Sequence, residues 1–145
     1  MGSLFESWLF WALLSAAFAA LTAIFAKVGV SEIDPDLATL IRTIIIVVVL
    51  TGIVAALGKF QPLGTIPGKT WVFLVLSGLA TGASWLAYFR ALKLGQASQV
   101  APVDKLSVVL VAIFGVLFLG ETIRPMGWLG VALVGAGAVV IAISG

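Results

Sequence analysis

Polar residues in this chain fall into short clusters, and the stretches between them are nearly unbroken runs of Ala, Val, Ile, Leu and Phe. Five apolar runs emerge, each close to the roughly 20 residues that cross a bilayer as a helix. The first extends from about Ser7 to Val28. Glu6 stands before it, where a cleavable leader carries positive charge, and the run is too long for such a leader. The second begins after Asp34-Pro35-Asp36 and continues to Leu57, with Asp34 placed to cap a helix that has proline in its first turn. A turn-rich stretch over 58–69, with Pro62, Gly64, Pro67 and Gly68, predicts an exposed connection to the third run, about Thr70 to Leu94. The fourth starts near Ser98, contains Pro102 and ends at Leu119-Gly120-Glu121. The fifth follows Arg124-Pro125. The last three runs are joined by short connections, which predicts neighbouring antiparallel helices.

Backbone polar groups inside lipid need internal partners, and helices supply them within one segment. The short alternating strands of a barrel are absent from the pattern. The expected fold is an all-α membrane protein, a five-helix transmembrane bundle forming one domain over residues 1–145.

Composition agrees and excludes other classes. Hydrophobic residues make up 62% of the chain, mean hydropathy is +1.26 and charged residues are 10%, against roughly 25% in an ordinary soluble domain. Lipid is therefore the expected outer solvent. A net charge of +2 without a clustered basic face gives no basis for nucleic-acid binding. Without Cys or His, thiolate chemistry, cysteine metal sites and the commonest general base are missing, and no cofactor or metal is expected. An enzyme is not expected either: there is no Gly-x-Ser-x-Gly, and Gly82-Ala83-Ser84-Trp85 has no histidine to act with.

Five spans put the two ends of the chain on opposite sides of the membrane. Lys59, Lys69 and Arg124 gather on one side; Lys27, Arg90 and Lys93 gather on the other, with Arg42 and Lys105 leaning the same way from inside helices. Glu32, Asp34 and Asp36 share that second side. The charge bias that orients membrane proteins is thus nearly balanced, which suits insertion both ways and pairing of oppositely oriented copies.

Polar residues within spans are costly and form the first list of candidate site residues. On the first helix, Ser15 and Thr22 lie on one face with Trp11, Phe18 and Phe25, while Ala12, Ala16, Ala19 and Ala23 make a separate smooth ridge. Local bonding to backbone carbonyls is the alternative role for the two hydroxyls. On the third helix Ser77, Thr81, Ser84 and Tyr88 share a face with Trp85 beside them. Trp85 and Tyr88 suit a pocket for an amphipathic or cationic solute, with plain helix packing as the alternative. Trp8, Trp71 and Trp128 sit near span ends, where interfacial aromatic belts lie.

Pro102-Val103-Asp104-Lys105 is the strongest polar signal. Pro102 removes a backbone donor and can kink the fourth helix. Adjacent residues on a helix point about 100° apart, so Asp104 and Lys105 are expected to face different neighbours. Arg42 lies at a comparable depth, which makes Arg42–Asp104 the expected pair; snorkelling of these groups to the headgroups is the alternative. The substrate-binding candidates are therefore Trp85, Tyr88, Ser15, Thr22, Ser84, Arg42, Asp104 and Lys105. Lys27, Arg90 and Lys93, near span ends, read as snorkelling or topology charges.

The stretch from Trp85 through Ala91-Leu92 to Gly95, then Pro102, then Leu119-Gly120-Glu121, with Gly127, Gly130, Gly135 and Gly137 following, resembles the EamA repeat of the drug/metabolite transporter superfamily along essentially the whole chain. The resemblance implies half of an inverted-repeat transporter, because members commonly carry two repeats of opposite orientation. A second copy would supply the missing half, as in the related small multidrug resistance proteins, whose dimerising last helix has a glycine spacing similar to that of Gly130 and Gly137. Those proteins hold a proton-coupling glutamate about two turns before the lysine that ends their first helix. With Lys27 as that lysine, the position here is Ala19, so protonation coupling would fall to Asp104. The function implied is export of a small metabolite or toxic solute by an antiparallel homodimer in a bacterial or archaeal cytoplasmic membrane. A subunit or half-transporter needing a different partner chain is the alternative.

Overall fold

A computed structural model describes residues 7–144; Glu6 lies outside them. Five helices are long and apolar enough to span a membrane: Trp8–Gly29, Pro35–Ala56, Gly68–Leu94, Ala97–Leu119 and Pro125–Ile143. The described residues contain no strand, so the protein is all-α. We label the helices α1 (Trp8–Gly29), α2 (Pro35–Ala56), α3 (Gly68–Leu94), α4 (Ala97–Asp104), α5 (Ser107–Leu119) and α6 (Pro125–Ile143). The fourth span is thus two helices, α4 and α5. The chain divides into two units, one of Val28–Lys93 and one of the residues up to Lys27 together with those from Leu94 onward.

The Val28–Lys93 unit is framed by α2 and α3. Asp34 caps α2 as its sequence predicts: Oδ1 accepts from the N–H groups of Asp36 at 2.8 Å and Leu37 at 3.2 Å, and Pro35 occupies the first turn, where no donor is needed. At the other end Gly58 adopts φ +62°. That left-handed residue lets Gly58 and Lys59 turn their N–H groups back onto Ala55 and Val54 carbonyls, each at 3.0 Å, closing the helix. A short 3₁₀ turn, Leu63–Thr65, lies in the predicted connection to α3.

Three basic side chains tie α3 to the α1–α2 connection and to α2. Lys93 Nζ donates to the carbonyls of Val30 at 2.9 Å, Ser31 at 2.6 Å and Ile33 at 3.2 Å. Arg90 grips Asp36 with two parallel bonds, Nε to Oδ1 at 2.9 Å and Nη2 to Oδ2 at 2.6 Å. Farther along, the Arg42 guanidinium lies over Trp85. Residue numbers rise along α2 as they fall along α3 in these contacts, so the two helices run antiparallel. Val30 and Leu92, both fully buried, close the same end. Lys93 and Arg90 are therefore structural ties. The ammonium gives the irregular Val30–Ile33 backbone acceptor partners that a helix would have given itself. Lys93→Met keeps the stem but strands these carbonyls. We expect a loss of about 1–3 kcal/mol, read as a lower midpoint in thermal unfolding of the purified protein; an unchanged midpoint would remove the tie.

In the other unit, Lys27 at the end of α1 donates to the Gly95 carbonyl at 2.7 Å, so this lysine is also a local tie. Helix α6 packs on both α4 and α5. Gly135 brings α6 close to α5: a Cβ there would sit 3.2 Å from Val109 Cγ2. Helix α5 ends at Gly120, whose φ of +68° reverses the chain while Gly115 O accepts from Gly120 and Glu121. Glu121 then folds back over buried Gly115, where an added Cβ would lie 2.6 Å from Oε2. The Leu119-Gly120-Glu121 sequence is thus a helix terminator followed by a side chain that needs a glycine beneath it.

Candidate functional site

Within the Val28–Lys93 unit the candidates converge on Arg42. Its guanidinium carbon lies 4.2 Å from the centre of the Trp85 ring and 5.4 Å from that of Phe89. Trp85 and Phe89 are four residues apart on α3, so their rings follow one another on one helix face. Phe89 is 2% exposed, whereas Arg42 and Trp85 are half-buried. Tyr88 carries its ring 6.5 Å from that of Phe89. Asp36, paired with Arg90, sits six residues before Arg42, so Arg42 is about 9 Å farther along the α2 axis.

Phe89 was not among the residues singled out by sequence. In a chain this rich in apolar side chains a lone phenylalanine carries no signal. Its spacing from Trp85, set against a cation at matching depth on α2, is the pattern that would have found it. Ser84, on the same helix, is exposed. Thr81 donates to the Ser77 carbonyl at 2.8 Å, so its hydroxyl serves its own helix.

In the other unit, Ser15 is exposed and Thr22 half-buried on α1. The fourth span does more than kink. Pro102 lies inside α4, and after Asp104 the ladder tightens: Leu106 N–H reaches Val103 O at 3.0 Å, Val108 N–H reaches Lys105 O at 2.9 Å and Val109 N–H reaches Leu106 O at 3.0 Å. These three-residue bonds separate α4 from α5 about 10 Å into the span. Proline lacks the N–H that would have bonded Ser98 O, so the regular ladder is already interrupted there.

Asp104 and Lys105 meet at this break, contrary to the expectation that they face different neighbours. Lys105 Nζ donates to Asp104 Oδ2 at 3.1 Å. The expectation assumed an unbroken α-helix. At the observed break the long lysine stem folds back onto its neighbour, with Asp104 half-buried and Lys105 exposed. Each member of the expected Arg42–Asp104 pair therefore has a partner inside its own unit: aromatic rings for Arg42, an ammonium for Asp104.

Chemically, these elements offer a half-buried guanidinium on aromatic faces and a carboxylate–ammonium pair at a helix break. Both are features of solute and ion handling within a membrane. Among the described residues no group of three or more acidic or imidazole side chains could hold a metal ion.

Comparison with known proteins gives a family. A family model described as the EamA-like transporter family matches residues 6–143. A curated protein of Sinorhizobium sp., described as an uncharacterized transporter in the cobO 3′ region, is 69% identical over 138 residues, covering 95% of this chain and 98% of that protein. No solved structure matches significantly.

Proposed function

Because this chain belongs to the EamA-like transporter family, we propose that it exports a small metabolite or toxic solute across a bacterial or archaeal cytoplasmic membrane, as a homodimer of oppositely oriented copies. The observation that carries this reading is the extent of the family match: residues 6–143 contain one set of five spans. Inverted-repeat transporters use two such sets, with the site near the membrane midplane at broken helices. The Pro102 break, with Asp104 and Lys105, supplies a broken helix. Gly130 and Gly137 support pairing: seven residues apart on α6, each would meet nothing within 4 Å if given a Cβ, leaving a smooth strip for another helix. Nearly balanced flanking charges support insertion in both directions.

In this reading Trp85, Tyr88 and Arg42 contact the solute. Ser84, on the same helix as Trp85, adds a hydroxyl in that unit; in the other unit, taken by itself, Ser15 and Thr22 are hydroxyl-bearing candidates and Asp104 with Lys105 moves charge at the break. Purified chain in proteoliposomes, with radiolabelled amino acids, quaternary amines and sugar phosphates, is the test. Saturable movement of one class by this chain alone is expected. Movement that appears after a different membrane protein is added, and never without it, would make the chain a half-transporter instead.

A further inference from the structure

The contrast between two arginines on α2 and α3 carries one step further. Arg90, near the C-terminal end of α3, has its donors met by the Asp36 carboxylate. Arg42, about 9 Å deeper along α2, has its face against Trp85 and Phe89, and within its unit no carboxylate or carbonyl receives its donors. A guanidinium is planar. Stacking on a ring uses its face and leaves the fork of N–H groups at its edge, the geometry that matches a carboxylate. A half-buried charge at this depth is costly until a counter-ion arrives, so an anion gains more here than at the surface.

We propose that the edge of the Arg42 guanidinium, held on Trp85 and Phe89, recognises the carboxylate of an aromatic or otherwise lipophilic monocarboxylate solute. This rests on the transporter reading above and names its substrate class. One face of Trp85 is already covered by the protein's own cation. Trp85 and Phe89 therefore position an anion receptor, and quaternary cations are disfavoured by charge.

Two aromatic probe ions of opposite charge, benzoate and tetraphenylphosphonium, test the assignment by a readout independent of transport. The chain has three arginines, Arg42, Arg90 and Arg124, and phenylglyoxal modification of each can be followed by peptide mass spectrometry on intact protein in nanodiscs of neutral lipid. Benzoate at about ten times its Kd should slow modification of Arg42 about tenfold and leave Arg124 unchanged. Tetraphenylphosphonium should protect neither. Uptake of both labelled probes into proteoliposomes, net of uptake into protein-free liposomes, is measured alongside. Protection of Arg42 by benzoate without uptake of either probe would uphold the site and defeat transport by the chain alone. Uptake of tetraphenylphosphonium without benzoate protection would uphold transport and overturn the site. Absence of protection by both probes would overturn it as well. Protection that appears on adding phosphatidylglycerol, and that benzoate does not deepen, would assign Arg42 to a lipid phosphate and overturn the solute reading.

Discussion

Trp85→Ala should lower solute transport about tenfold, the equivalent of about 1.4 kcal/mol, while Trp128→Ala at matched protein levels changes it less than about twofold. The difference follows from what each ring touches. Trp85 lies 4.2 Å from the Arg42 guanidinium carbon, a contact worth about 1–2 kcal/mol when partly desolvated. Without the ring the guanidinium loses its fixed plane and leans toward the headgroups, as long basic side chains near a span end do. Trp128 lies in the first turn of α6 and is 39% exposed, as suits an interfacial anchor whose loss affects membrane seating. Trp85→Phe keeps an aromatic face and should retain more activity than Trp85→Ala. Equal losses for Trp85→Ala and Trp128→Ala, measured by efflux from proteoliposomes, would detach Trp85 from the solute path.

The second large effect is expected at the helix break. Asp104→Asn should abolish uptake driven by a proton gradient and leave downhill exchange largely intact. Asp104 is half-buried about 10 Å into its span, and its partner Lys105 has an exposed side chain that can swing away. Asparagine keeps the shape and removes the charge, so the ion pair with Lys105 at the break is lost. If the pair serves folding alone, Asp104→Asn should instead lower the yield of folded protein, because it leaves a lone ammonium in the membrane. Adding Lys105→Gln should then restore part of that yield, a coupling that a double-mutant cycle measures. Full gradient-driven transport at normal yield would remove both roles and favour snorkelling of the pair.

Much of the architecture is legible in the sequence because membrane burial writes a coarse signal. Apolar runs of span length and the Asp34-Pro35 start of α2 have direct physical meanings, and the order of the Ala91-Leu92, Pro102 and Leu119-Gly120-Glu121 motifs pointed to the family. What sequence could not supply is partner choice. Lys27 and Lys93 look like charges stopping at the headgroups, yet each donates to backbone carbonyls of a connection. That role depends on where the irregular backbone passes, which hydropathy does not encode. The Asp104–Lys105 contact was missed for a different reason. The two side chains diverge on an ideal helix, and Pro102 with the tightened turn after Asp104 breaks that helix. Arg42 and Trp85 are both visible as candidates in sequence, but that the guanidinium lies over the ring is not, because it depends on how α2 and α3 pack.

The proposed inverted homodimer, in which one five-span chain forms a transporter with an oppositely oriented copy, has a direct test. The chain lacks cysteine, so Ser144→Cys, at the exposed end of α6, gives a single reporter for an impermeant thiol reagent applied to intact cells. Ser3→Cys, outside the described residues, reports the other end. With both orientations present, each position should label to about half of the level reached after the cells are opened, and the labelled fraction should shift when lysines are added beside Lys59 or Lys93. Complete labelling of one position and none of the other, unmoved by added lysines, would fix a single orientation and contradict the inverted pair.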